Sequence, residues 1–160
     1  SISTTPRPSS PRLPADSVVV AVDLTPELLA RVRNSVSDIS GASVRMLAGD
    51  MERLPLPDGI ADVVIANASL NLATDKNAAF AEVARILRPG GQLLAADLVR
   101  NGPLPPEILA DPMAMASALG GVVEEPEFYA ALDRAGFTKI AFSGHRPFGP
   151  VVAVDISARK

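Results

Sequence analysis

The chain has 160 residues, 48% of them hydrophobic, and a formal net charge of −3; that is apolar material enough for one domain with a sizeable core, and it makes no electrostatic case for nucleic acid as a partner. There is no cysteine and a single histidine, His145, which excludes disulfides, thiolate metal sites, cysteine nucleophiles and the usual multi-histidine metal site. No stretch reaches the ~18 apolar residues of a membrane span and residues 1–17 contain no secretory apolar run, so the expectations are a cytoplasmic protein, no membrane contact and no metal.

Residues 1–17 hold four Pro and five Ser. They are expected to form a disordered tail, because they bury too little surface to offset the entropy of ordering, with the folded domain over 18–160. Val18–Val22 is a β-branched run suited to a strand covered on both faces. Thr25 then reads as an N-cap, Pro26 as the first helical residue and Glu27 as an acid at the positive helix start. Leu28, Leu29, Val32 and Val36 share one face of that helix. Val44–Ala48 is a second strand, ending at Gly49–Asp50, and "MERLPLPDGI" is a proline-punctuated connection.

Ala61–Ala66 is a third strand, ending at Asn67. Thr74 can cap a helix that presents Phe80, Val83, Ala84 and Leu87 on one face, and "RPGG" stops it. Gln92–Leu98 is the fourth strand. The excursion over 101–121 is proline-rich and partly helical. Pro126–Ala135 is a helix with Gly136 at its end. Thr138–Ser143 and Val151–Ser157 close the chain as strands around "GHRPFGP". The alternation predicts an α/β fold: a mainly parallel sheet with helices on both faces and a C-terminal antiparallel hairpin.

In open parallel sheets, ligands sit beyond the carboxyl ends of the strands. The polar residues at those ends are Asp23, Asp50, Asn67 and Asp97. The Asp23 carboxylate suits two ribose hydroxyls, or equally an ordinary acid at a helix start; sequence alone leaves both readings open. Asp50–Met51 suits an adenine, with the carboxylate accepting from the exocyclic amine and the thioether on the ring; the other reading is a surface Asp beside a core Met. Asn67 to Asn71 either face a reacting group or form a capping turn. Gly90–Gly91 reads as a helix stop and His145 as a surface residue. No hydrolytic triad is present, and no catalytic residue is assigned.

The segments "VAVDLTPELL", "LAGDMERLPLPDGIADVVIANASLNLATDKNAAFAEVARILRPGGQLLAADL" and "EPEFYAALDRAGF" resemble class I S-adenosylmethionine-dependent methyltransferases, nearest to the arsenite methyltransferase branch, with the ubiquinone/menaquinone methyltransferases next. The resemblance implies a Rossmann-like fold, S-adenosylmethionine as cofactor and a small-molecule acceptor. By position it implies Asp23 on the cofactor ribose with Leu24 beside the adenine, Asp50 and Met51 as the adenine pair, and Asn67 near the methionine moiety. Catalysis in such enzymes is largely positioning and desolvation, so no dedicated acid or base need be visible.

Two departures qualify this. The family's first strand and G-x-G-x-G loop have no counterpart in residues 1–17. The chain therefore reads as truncated at its N-terminus, with cofactor binding impaired. The strands of Val18–Val22 and Ala61–Ala66 would then pair directly, be bridged by the tail, or associate with another copy through unpaired edges as a homo-oligomer. The arsenite branch also has cysteines where this chain has Ala68 and, nearby, Ser117, so arsenite methylation by thiolate capture is not expected. Two functions follow. One is methyl transfer to a small acceptor beneath 101–121, in an apolar pocket lined by Met113, Met115 and Leu119. The other is a truncated or degenerate relative without catalytic activity, acting through binding or oligomer contacts. A nicotinamide-dependent protein fits less well, since it needs the same missing glycine loop.

Overall fold

The computed structural model describes residue 14 and residues 16–36, 43–117 and 119–160. The chain divides into two compact units, Ser1–Gly49 and Asp50–Lys160. The first is a β–α–β unit of β1 (Val18–Asp23), α1 (Pro26–Val36) and β2 (Ser43–Ala48). β1 and β2 pair in parallel, from Val18 opposite Ser43 to Asp23 opposite Ala48. Ser17 extends the ladder by accepting a 3.0 Å hydrogen bond from the Ser43 amide. The rest of the expected tail, residues 1–13 and 15, lies outside the described residues.

The Thr25 carbonyl opens α1 by accepting from the amides of Leu28 and Leu29, and Pro26 takes the first helical position, where its missing N–H leaves no bond unmade. The expected apolar face is narrower than the spacing suggests: Leu29 is buried but Leu28 is 45% exposed. The side chains of Val32 and Val36 lie outside the described residues.

The second unit is built on a four-stranded sheet in the order β3-β4-β6-β5, with β3 Ala61–Asn67, β4 Leu87–Val99, β5 Thr138–Phe148 and β6 Val151–Arg159. β3 and β4 run parallel, while β6 is antiparallel to both of its neighbours. This is the expected α/β class, with parallel pairing first and an antiparallel ending. The helices are α2 (Lys76–Ile86), the short α3 (Pro106–Leu109) and α4 (Pro112–Met115), and α5 (Glu125–Arg134). Phe80, Val83 and Ala84 of α2 and Phe128, Ala131 and Leu132 of α5 pack on Leu93, Ala95, Val154 and Ile156 of the sheet. The Phe128 ring lies 5.1 Å from that of Phe80 and 5.8 Å, edge-on, from that of Phe142.

Strand residues alternate between faces, so Val64 and Ala66 join this core while Val63 and Ile65 point away, 46% and 78% exposed. β1 pairs only with β2, and β3 only with β4, so each keeps one free edge among the described residues. Among the same residues no helix is long and apolar enough to cross a membrane.

Four local expectations are corrected. The cap of α2 is Asp75 rather than Thr74; its Oδ1 accepts from the amides of Asn77 (2.9 Å) and Ala78 (3.1 Å), and a carboxylate suits the positive helix end better than a hydroxyl. The helix stops at Ile86, before "RPGG". Leu87 is fully buried and its backbone pairs with Ala61, after which the register jumps to Val63 opposite Gln92; residues 88–91 thereby become a bulge at the start of β4. Of "GHRPFGP" only Gly149 and Pro150 form a turn. β5 continues to Phe148 through an irregularity between Ser143 and Arg146, and Arg146 holds Asp155 across the ladder with contacts of 2.9 and 3.0 Å. Finally, the excursion packs Leu104, Val122 and Val151 into a satellite core with Leu119, yet Met113 is 80% exposed. The side chain of Met115 lies outside the described residues.

Candidate functional site at the carboxyl ends of the strands

In the first unit, Asp23 ends β1 half-buried. Its Oδ1 accepts from the Thr25 amide at 2.7 Å and its carbonyl from the Gly49 amide at 3.0 Å. The bond to Oδ1 is a local turn ahead of α1, and it fixes the carboxylate while leaving Oδ2 without a partner among the described residues. Leu24 beside it is 65% exposed.

In the second unit, Asp50 is exposed and Met51 half-buried. Asp50 Oδ1 accepts from the Glu52 amide at 2.9 Å and its carbonyl from the Arg53 amide at 3.1 Å, a tight turn that leaves Oδ2 without a partner among the described residues. The connection after it is held by α2. Glu82 accepts from the Leu54 amide at 2.7 Å. Arg85 donates to the carbonyls of Leu54 and Leu56 and to Asp58, while Glu52 Oε1 accepts from the amides of Thr74 and Asp75. The turn carrying Asp50 and Met51 thus rides on a charged lattice.

Hydrogen bonds from Arg85, and secondarily from the Leu54 amide, hold the Glu82 carboxyl below its ordinary range against the opposing effect of burial. A carboxyl depressed in the folded chain adds stability above its unfolded value of 4.5 and loses it as pH falls through the lower folded value. Glu82→Gln is expected to cost about 1 kcal/mol at neutral pH. In urea titrations at a series of pH values, the gap between wild type and variant should close on acidification.

Asn67 ends β3 exposed, at the rim of a shallow depression of about 420 Å³ on the face of the sheet opposite α2 and α5, with Ile65, Leu94, Ala96, Ser143 and Asp155 among its lining. Ala68 follows with φ at +51°, its amide bonded to the Ala96 carbonyl at 2.8 Å, and a 3₁₀ turn over Leu70–Leu72 completes the loop.

Beneath this loop lies an arrangement that sequence reasoning did not assemble. Asp97 is 3% exposed and Asn71 1%. Asp97 accepts from the Leu70 amide, Asn71 Nδ2 and the Leu98 amide, each at 2.8 Å. Lys76 Nζ lies 3.5 Å from the Asn71 carbonyl; burial pulls its pKa down, with Asp97 and Glu127 opposing. The only signal in the sequence was a polar residue at each strand end. His145, read as a surface residue, is half-exposed and its Nε2 sits 2.7 Å from Glu125. Among the described residues no cluster of three metal-ligating side chains occurs.

Residues 9–95 match the family model described as a methyltransferase domain. An arsenite methyltransferase of Halobacterium salinarum is 34% identical over 125 residues, covering 78% of this chain and 32% of that protein. One of Aquipseudomonas alcaligenes is 34% identical over 132 residues, covering 78% and 38%. The chain therefore spans about a third of the length of these curated relatives. Among solved structures, the arsenic (III) S-adenosylmethionine methyltransferase of Chlamydomonas reinhardtii aligns with a TM-score of 0.73 at 24% identity, over 89% of this chain and 54% of that one; at that identity the likeness shows the fold alone.

Proposed function

The chain belongs to the S-adenosylmethionine-dependent methyltransferase domain family, and we propose that it binds S-adenosylmethionine and serves methyl transfer to a small-molecule acceptor. What supports this most is Asp23: a carboxylate fixed through Oδ1 by the Thr25 amide, with Oδ2 open at the carboxyl end of β1, is pre-set to accept from a ribose hydroxyl. Leu24, Asp50 and Met51 suit the adenine, the first and last by apolar surface and Asp50 by its Oδ2. Asn67 suits the methionine end, its exposed amide offering both a donor and an acceptor.

The cofactor, when bound, supplies a methyl group on a sulfonium for in-line attack. The residues of this chain hold, orient and exclude water, which suffices for such a reaction. The acceptor is a group other than thiolate-held arsenite. Ala68 has only a methyl group at the position where the arsenite branch has cysteine, and the Ser117 hydroxyl is spent on the Ala114 carbonyl; neither substitutes for a soft sulfur ligand.

Calorimetric titration with S-adenosylhomocysteine tests the proposal. Micromolar binding is expected, with Asp23→Ala raising Kd roughly 30-fold, about 2 kcal/mol for a lost charged hydrogen bond. No heat at millimolar ligand overturns it. That outcome selects a second reading, a non-catalytic relative acting through contacts with another copy, which the free edge of β3 and the exposed Val63 and Ile65 favour.

A further inference from the structure

The loop from Asn67 to Asn71 carries three local costs at once. Ala68 sits in the left-handed region at φ +51°, which a residue with a Cβ adopts at a penalty of roughly 1 kcal/mol. Asp97 is a carboxylate only 3% exposed. Asn71 is 1% exposed and its Oδ1 has no hydrogen-bond partner among the described residues. The amide orientation is fixed, because both Nδ2 hydrogens have acceptors, Asp97 Oδ1 at 2.8 Å and the Leu98 carbonyl at 2.7 Å; a flipped amide would set its oxygen against both. A leucine at 71 would fill much the same space with no orphaned oxygen. Stability alone therefore does not account for the cluster.

What the cluster does achieve is position. Asp97 Oδ2 holds the Leu70 amide and Oδ1 holds Asn71, while the Ala68 amide is tied to the Ala96 carbonyl. The loop is pinned on both sides of its strained residue to a single strand, β4. Strain persists only where the surroundings over-determine it, and such sites gather where function needs a fixed geometry. Local rules broken together at one place point the same way.

We propose that Asp97 and Asn71 are positioning residues: they lock the Asn67–Ala68 backbone over the end of β4 so that Asn67 meets the cofactor pre-oriented. The inference rests on the cofactor reading above. Asp97→Asn replaces one accepting oxygen with a donor, so one of its partners among the Leu70 amide, the Leu98 amide and Asn71 Nδ2 faces an N–H. Ala68→Val leaves the buried cluster untouched but disfavours the left-handed backbone at an exposed position.

Both variants are read by amide hydrogen exchange and by calorimetric titration with S-adenosylhomocysteine. Expected are faster exchange at residues 68–71, unchanged protection in β6 and α5, and an affinity lowered roughly tenfold. Should Asp97→Asn fail to fold, Ala68→Val decides between the outcomes. Variants whose loop amides open while Kd stays at the wild-type value overturn the positioning role and leave the cofactor reading standing. A wild-type chain that gives no heat overturns both.

Discussion

Phe128→Ala is expected to lower the unfolding free energy by about 4 kcal/mol. The side chain is fully buried and joins the two helices to the sheet, with the Phe80 ring 5.1 Å on one side and the edge-on Phe142 ring 5.8 Å on the other. Truncation loses the transfer free energy of a whole ring and leaves a cavity. α2, α5 and β5 each border that cavity, and none closes it without moving the others. Two aromatic contacts go as well, each worth roughly 1 kcal/mol beyond area. Against a typical domain stability of about 5–15 kcal/mol, this leaves a narrow margin. Urea denaturation should show the midpoint falling with little change in slope. Phe128→Leu, which keeps most of the volume, should cost less than half as much.

Gly121→Ala is expected to cost about 3 kcal/mol, through a different cause. Gly121 has no unusual backbone angle to protect. A Cβ there would run into the carbonyl oxygen of Asn71 and come within 3.2 Å of Lys76 Nζ. The Asn71 carbonyl is main chain and is held from two sides, by Lys76 Nζ on the oxygen itself and by the bonds of the Asn71 side chain to Asp97 and Leu98. It cannot step aside as a flexible side chain would. The end of the 101–121 excursion must lift off, exposing part of the satellite core around Leu104 and Val122. Thermal unfolding would check the magnitude, and a loss below about 1 kcal/mol would mean that the excursion docks loosely at this point.

Neither effect is visible in the sequence, and the reason is the same. Periodicity reports which face of an element is apolar, so Phe80, Val83 and Ala84 could be grouped and are indeed buried, while Leu87, grouped with them, is buried as the first residue of β4 instead. Periodicity does not report which residue of another element the face meets. The strands of Val18–Val22, Val44–Ala48 and Ala61–Ala66 were legible because β-branched runs between turn residues have few other fates. The start of β5, Thr138–Ser143, was legible too, but its continuation to Phe148 was not, because Gly144 and Pro147 look like a turn. The Arg146–Asp155 bridge and the β6 ladder, both tertiary, hold that segment extended. Strand-end logic put Asp23 and Asn67 at the last residues of β1 and β3, whereas Asp50 falls two residues past β2 and Asp97 two residues short of the end of β4. The pairing of Asp97 with Asn71 joins positions with no periodic relation. No local pattern encodes a hydrogen bond between a strand and a loop so far back along the chain.

The order β3-β4-β6-β5 puts β6 inside the sheet, between β4 and the β5 that precedes it along the chain. As the chain emerges from a ribosome, β5 has no partner until β6 follows it. The hairpin of the two, closed at Gly149–Pro150, can form within microseconds. Its docking onto β4 must bring Arg159 beside Gln92 and Val154 beside Asp97, contacts of long sequence separation that slow folding. Asp97 therefore reaches its final burial only when the hairpin arrives. Because β6 runs antiparallel to β4, Asp97 meets Val154 near the start of β6 while Gln92 waits for Arg159 at its end, so a chain paused before the hairpin docks would hold β3 and β4 with the end that pins the Asn67 loop unfinished.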